Sequence, residues 1–190
     1  LFYPIVKCYL LLFIYIFFSC ASQGYPSGGP IDNKGPKIIK SLPINYTQLE
    51  SEDKIVIFFD ELINPISTVN AITIFPKIDF SYKISGKKII ITPTNKWINS
   101  NVLKIKLSRK ISDYQNNFMD SPIELFYFNS NQLSNKLILG EILNTKNQLF
   151  ELGLYKINNS NYELIEKTES NQNNNFEFKY LDSGKYFIVA

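Results

Sequence analysis

Histidine does not occur among the 190 residues. Its absence removes the Ser-His-Asp and Cys-His arrangements, and the commonest zinc and pH-switch ligand. Cysteine is nearly as scarce. Cys8 and Cys20 are the only two. Both precede the domains, which therefore fold without a disulfide. No GxxxxGK or GxGxxG phosphate cradle occurs. Neither sign of charge prevails: 20 basic and 17 acidic residues leave +3. That balance offers no basis for a nucleic-acid partner. No stretch keeps a long helical period, and the one sustained apolar run, Cys8–Phe18, is too short for a confident membrane span of about 20 residues.

That run has a different use. Lys7 is the only charged side chain before Asp32. A basic residue, an apolar core and then an abrupt polar stretch outline a secretory signal over 1–19. Phe17-Phe18-Ser19-Cys20 resembles a lipobox. Ser19 supplies the small residue before Cys; Phe17 stands where Leu is usual and Phe18 where a small residue is usual. Cys20 is thus the expected lipidation site, since a diacylglycerol on its thiol and an acyl group on the freed amine anchor stably. A signal anchor, reached by counting back to Leu1, is the alternative. The chain opens on Leu1 rather than Met, so the true N-terminus is expected upstream. Residues 20–35, with Gly24, Gly28, Gly29, Gly35, Pro26 and Pro30, cannot pack a core and read as a flexible tether.

From Pro36 the chain becomes short strand-like runs between turns. Lys54–Ile63 carries apolar residues on both faces in its first half, as a central strand does, and leaves the core near Asp60. Ala71–Phe75 and Phe80–Ser85 follow. Ser85-Gly86-Lys87 is a hairpin turn returning through Lys88–Thr92. Leu103–Leu107 alternates, with Lys104 and Lys106 expected outward. Asp113–Asn117 is a polar turn, and Ile123–Phe128 closes the set. About seven strands at this spacing predict a sandwich over 36–130.

The order of elements resembles the bacterial Ig-like domain of the surface-layer-protein type. The resemblance rests on Pro36 and Ser41-Leu42-Pro43, Ile55-x-Ile57-x-Phe59-x-Glu61, Ile72-x-Ile74-x-Pro76, Lys88–Thr92, Ile111-Ser112-Asp113-x-x-Asn116-Asn117, and Phe126-x-Phe128-Asn129-Ser130. Asn116 stands where that family has Gly, and Asn tolerates positive φ. Asn101-Val102-Leu103 replaces a Thr-Tyr pair. The resemblance implies a non-catalytic sandwich and brings no catalytic residue. The head of the chain also resembles that of Gram-negative envelope lipoproteins. A second unit, 136–190, ends in Phe176-x-Phe178-x-Tyr180-Leu181-x-Ser183-Gly184-x-Tyr186-x-Ile188-x-Ala190, similar to carboxypeptidase-regulatory-like, transthyretin-like sandwiches. A hairpin turning at Gly184 is expected to pair its two aromatic strands. An unpaired edge there predicts an incomplete, truncated last sandwich. The fold class is therefore all-β: a signal helix, an Ig-like antiparallel sandwich, then a second, incomplete one.

Candidates for chemistry are few. Asp60 and Glu61 are adjacent on a strand and point to opposite faces. Asp113, Asp120 and Glu124 would need carboxylates converging from other strands to act as glycosidase acids. Asp113 with Asn116 and Asn117 reads as an Asx-rich turn before a calcium turn. Asn45-Tyr46-Thr47 and Asn158-Asn159-Ser160 match glycosylation sequons by chance in an Asn-rich chain. Trp97, the single tryptophan, packs in the core or, if exposed, stacks on a ligand such as a sugar. These observations lead to no catalytic residue, metal or cofactor. They point to a structural or interaction lipoprotein of the outer membrane or cell surface, with the periplasmic face open. Its partners are the membrane through a lipid, and an envelope protein or glycan. The alternative is glycan binding through exposed aromatics.

Overall fold

The computed structural model describes residues 28–50, 53–97, 101–129, 134–143, 148–159 and 161–190. The expected signal helix and Cys20 lie outside them. The chain divides into two units, Leu1–Asp32 and Asn33–Ala190; the second carries the fold. Among the described residues no helix is long and apolar enough to cross a membrane.

Eight strands build the first sandwich: β1 (Ile38–Leu42), β2 (Thr47–Gln48), β3 (Ile55–Phe59), β4 (Ile72–Phe75), β5 (Phe80–Ser85), β6 (Lys88–Pro93), β7 (Val102–Leu107) and β8 (Ile123–Phe128). One sheet has the order β1-β3-β6-β5, the other β2-β8-β7-β4. Pairing is antiparallel except between β2 and β8. The strand that sequence reading missed is β2, whose two residues carry no alternation to detect. β3 is central, between β1 and β6, as its two apolar faces require.

Strand pleat decides what goes inside. Alternate residues face the core: Ile55, Ile57 and Phe59 on β3, Ile89 and Ile91 on β6, Leu103, Ile105 and Leu107 on β7, Leu125 and Tyr127 on β8. Trp97, Ile111 and Met119 fill the space from the connections. Each such side chain contributes about 1.5–3 kcal/mol on burial. The β5–β6 turn works because Gly86 takes φ +61°.

Five further strands follow: β9 (Leu137–Glu141), β10 (Glu151–Asn158), β11 (Asn161–Glu169), β12 (Asn175–Lys179) and β13 (Tyr186–Val189). They form sheets β11-β10-β13 and β12-β9 around Leu152, Leu154, Phe178 and Leu181. Here one expectation is corrected. β12 and β13 do not make a hairpin at Gly184; β12 pairs with β9 and β13 with β10. The link between them is a crossover. Tyr180 takes φ 55°, and the Leu181 N–H donates to Lys136 O at 3.0 Å. Leu181 is thereby buried beside Phe178. Separating the two strands lets both sheets contribute to one core, which a single hairpin would leave open on one face.

Candidate functional site: the junction of the two sandwiches

β7 and β8 pair Lys104 with Phe126 and Lys106 with Glu124. These four side chains lie on the face of the sheet away from the first core, since neighbours in register share a face. Lys104 and Lys106 are not in water, however. They are 6% and 8% exposed, and Phe126 is 2%. The second sandwich covers them.

Its covering surface follows from register. On β11, Glu166 pairs with Leu154 and Thr168 with Leu152, so a carboxylate shares the core face with two leucines. A buried carboxylate needs a counter-charge and hydrogen bonds. The lysines supply them. Lys104 Nζ lies 2.6 Å from Glu166 Oε2, and Lys106 Nζ lies 2.6 Å from both Glu166 Oε1 and Glu124 Oε1. The contact between Lys106 and Glu166 is an ion pair without hydrogen-bond alignment. Lys104 Nζ also donates to Lys179 O. Two lysines and two glutamates thus balance within one seam, buried except at Glu124, whose side chain is 19% exposed. Lys106 Nζ stands 5.6 Å from the Phe178 ring centroid, adding a cation–π contact to the second core.

Three further hydrogen bonds extend the seam along the sheet. Arg109 Nε donates to Glu169 Oε2 at 2.7 Å and Arg109 Nη2 to Ser170 O at 2.5 Å. Ser108 Oγ donates to Glu169 Oε1 at 2.6 Å. At the other end Tyr46 stacks on Phe126 at 5.4 Å, and Tyr180 meets Phe126 and Phe128 edge-on at 5.1 and 5.7 Å. A cleft of about 480 Å³ opens beside Tyr46, Phe126 and the β11–β12 connection.

The matching family is the bacterial Ig-like domain, over residues 32–130, just over half of the chain. The chain belongs to that family. No curated protein and no solved structure matches the chain. Bacterial Ig-like domains are structural or interaction modules, typically extracellular or surface-exposed.

Within the Ig-like domain, the sequence candidates fall as follows. Trp97 is 2% exposed and its indole N–H donates to Asp53 O at 2.7 Å. Its ring faces are covered by core, so the ligand-stacking role is corrected to a packing one. Asp60 Oδ1 accepts from the Lys37 N–H at 2.7 Å, tying the end of β3 to the approach to β1. Asp113 is buried in its turn. Its Oδ1 accepts from the N–H groups of Gln115 and Asn117, both at 2.8 Å, and its Oδ2 from Asn117 Nδ2 at 2.9 Å. Burial pushes the Asp113 carboxyl up, but these hydrogen bonds outweigh it and hold the group below its ordinary value. Asn116 takes φ 66°, a left-handed conformation that Asn tolerates. Cys20 lies outside the described residues.

Sequence reading missed the junction. Lys104, Lys106, Glu124 and Glu166 each look like solvated side chains on alternating strands. The signal that could have found it is on β8. Phe126 and Phe128 share the outward face with Glu124, and two phenylalanines on one solvent face leave apolar surface that something should cover.

Proposed function

We propose that this chain is a non-catalytic, lipid-anchored protein of a Gram-negative cell envelope, on the outer membrane or cell surface. In this reading Cys20 carries the lipid, and the Ig-like domain is a rigid element that presents the β-sandwich following it. The rigid-element part of the reading is carried by the buried ion pairs of Lys104 and Lys106 with Glu166, and the anchor by Cys20 at the end of the apolar run. Ion pairs taken out of water set the geometry between two modules more sharply than apolar contact does, because a slip would leave charges unpaired. A fixed spacer is what an envelope module needs to hold a partner, protein or glycan, at a set distance and angle.

Other observations agree with it. Glu124 and Glu166 converge, but on Lys106, and with Lys104 the two lysines compensate both. Residues 136–190 are read as a carboxypeptidase-regulatory-like sandwich, a reading supported by their two sheets around one small core.

The test is fatty-acid labelling of the precursor in a Gram-negative host, beside Cys20→Ala. Label on the parent, none on the variant, and membrane fractionation of the parent are expected. An unlabelled, soluble parent, or one held by an uncut N-terminus, would overturn the anchor.

A further inference from the structure

The cleft beside Tyr46 is unused by anything argued so far. Its lining includes Tyr46, Phe126, Leu139, Asn171, Asn175 and Lys179. At about 480 Å³ it falls within the roughly 300–1,000 Å³ of small-ligand sites.

Tyr46 is held there against its backbone preference. Its φ of 66° is uncommon for an aromatic residue. Such conformations cost on the order of 1–3 kcal/mol and persist where surroundings over-determine them. Those surroundings are visible. Asn45 Oδ1 accepts from the Phe126 N–H at 2.8 Å, and the Tyr46 N–H donates to Phe126 O at 2.8 Å. Both backbone groups of one β8 residue thus clamp the loop. The result is a ring stacked on Phe126 yet 51% exposed at the cleft.

Charge at the cleft is already spent. Glu124 pairs with Lys106, Glu169 with Arg109, and Glu177 with Lys179 at 2.5 Å. The polar groups left are neutral. Asn171 Oδ1 accepts from the N–H groups of Asn173 and Asn175, which turns its Nδ2 donors elsewhere. The side-chain amide of Asn175 and the Tyr46 hydroxyl make no hydrogen bond among the described residues. A phosphate or polyanion would find no unpaired cation here. An apolar ligand would make no use of the two exposed asparagine amides.

We propose that this cleft is a binding site for a neutral oligosaccharide. The C–H face of a sugar ring lies against Tyr46, where an aromatic ring offers both apolar area and a polar tip. The sugar hydroxyls exchange hydrogen bonds with Asn175, Asn171 Nδ2 and the Tyr46 hydroxyl. The site is built from both sandwiches, Tyr46 from the first and the asparagines from the second. The ion-paired junction therefore sets its width. It does not depend on the lipid anchor.

The experiment is NMR titration of the isotope-labelled full chain with cellotriose and chitotriose, beside a uronic-acid trimer as a charged control. Saturable shifts at Tyr46, Asn171 and Asn175 with a neutral probe, and none at Trp97, are expected. Asn175→Ala and Tyr46→Ala should each weaken binding roughly tenfold, the loss of one good contact. If Tyr46→Ala disturbs the loop, Tyr46→Leu keeps bulk without the aromatic face and serves in its place. No saturable shift with either neutral probe, tighter binding of the charged trimer, or binding indifferent to both substitutions would overturn the proposal.

Discussion

Lys104 and Glu166 are 62 residues apart, yet their charged ends meet at 2.6 Å with side chains 7% and 1% exposed. The pair joins two sandwiches, and its energetics are asymmetric. Removing one partner of a buried pair leaves the other charged and unsolvated, a loss of about 3–5 kcal/mol. Glu166→Gln keeps the shape, leaves Lys104 without a carboxylate and Lys106 with Glu124 alone, and should therefore lower the free energy of unfolding by about 3 kcal/mol in urea denaturation. Replacing Lys104, Lys106, Glu124 and Glu166 together by apolar residues of similar volume should cost far less. If Glu166→Gln unfolds like the parent, the seam is wet in solution.

Trp97 serves as a built-in reporter because it is the single tryptophan. Buried at 2% exposure, it should emit at short wavelength and resist quenching by iodide until the protein unfolds. Trp97→Phe loses the bond to Asp53 O and leaves that carbonyl unpaired, a destabilisation of about 1–3 kcal/mol. Quenching of the native protein would show an exposed ring instead.

Asp113 makes stability depend on acid. Its folded carboxyl is held below the ordinary value of 3.8, so the unfolded chain takes up the proton first as pH falls. The contribution is fully present above about pH 4 and disappears as pH drops through the folded value. Asp113→Asn should thus be less stable than the parent at neutral pH, with the gap closing on acidification. Urea midpoints of the two proteins measured from about pH 6 down to 2 will show whether the curves converge.

Gly35, expected to end the flexible tether, is instead buried against the Ig-like domain, and a Cβ there would fall 1.9 Å from Phe118 O. Backbone stands in the way, so relief requires moving the chain and not a flexible side chain. Gly35→Ala should cost about 1–3 kcal/mol, read as a lower thermal midpoint, whereas Gly29→Ala, with nothing nearby, should be silent. Equal midpoints for the two variants would place residue 35 outside the folded domain.

The legible part of this protein is the part written in periods of two. The inward sets on β3, β6 and β7, the Gly86 turn, and the Asx turn at Asp113 follow from neighbours in the chain. Each depends on local geometry: pleat, left-handed φ, a side-chain oxygen reaching two residues on. The family resemblance came from the order of those same elements. The candidate site was hidden for the complementary reason. Strand alternation says that Lys104 and Lys106 leave the first core, but it does not say what they meet. Nor does it show that Phe178 and Tyr186 go to different sheets, because a turn-like sequence permits both hairpin and crossover. By itself the sequence determined an all-β chain with no histidine, no domain disulfide and one Ig-like sandwich. Only the tertiary structure decided that Trp97 is buried, that Lys104, Lys106 and Glu166 are buried together between two sandwiches, and that Tyr46 and Asn175 face one cleft. Those are contacts between residues far apart in the chain, where burial changes what a lysine or a tryptophan can do and spacing carries no record of it.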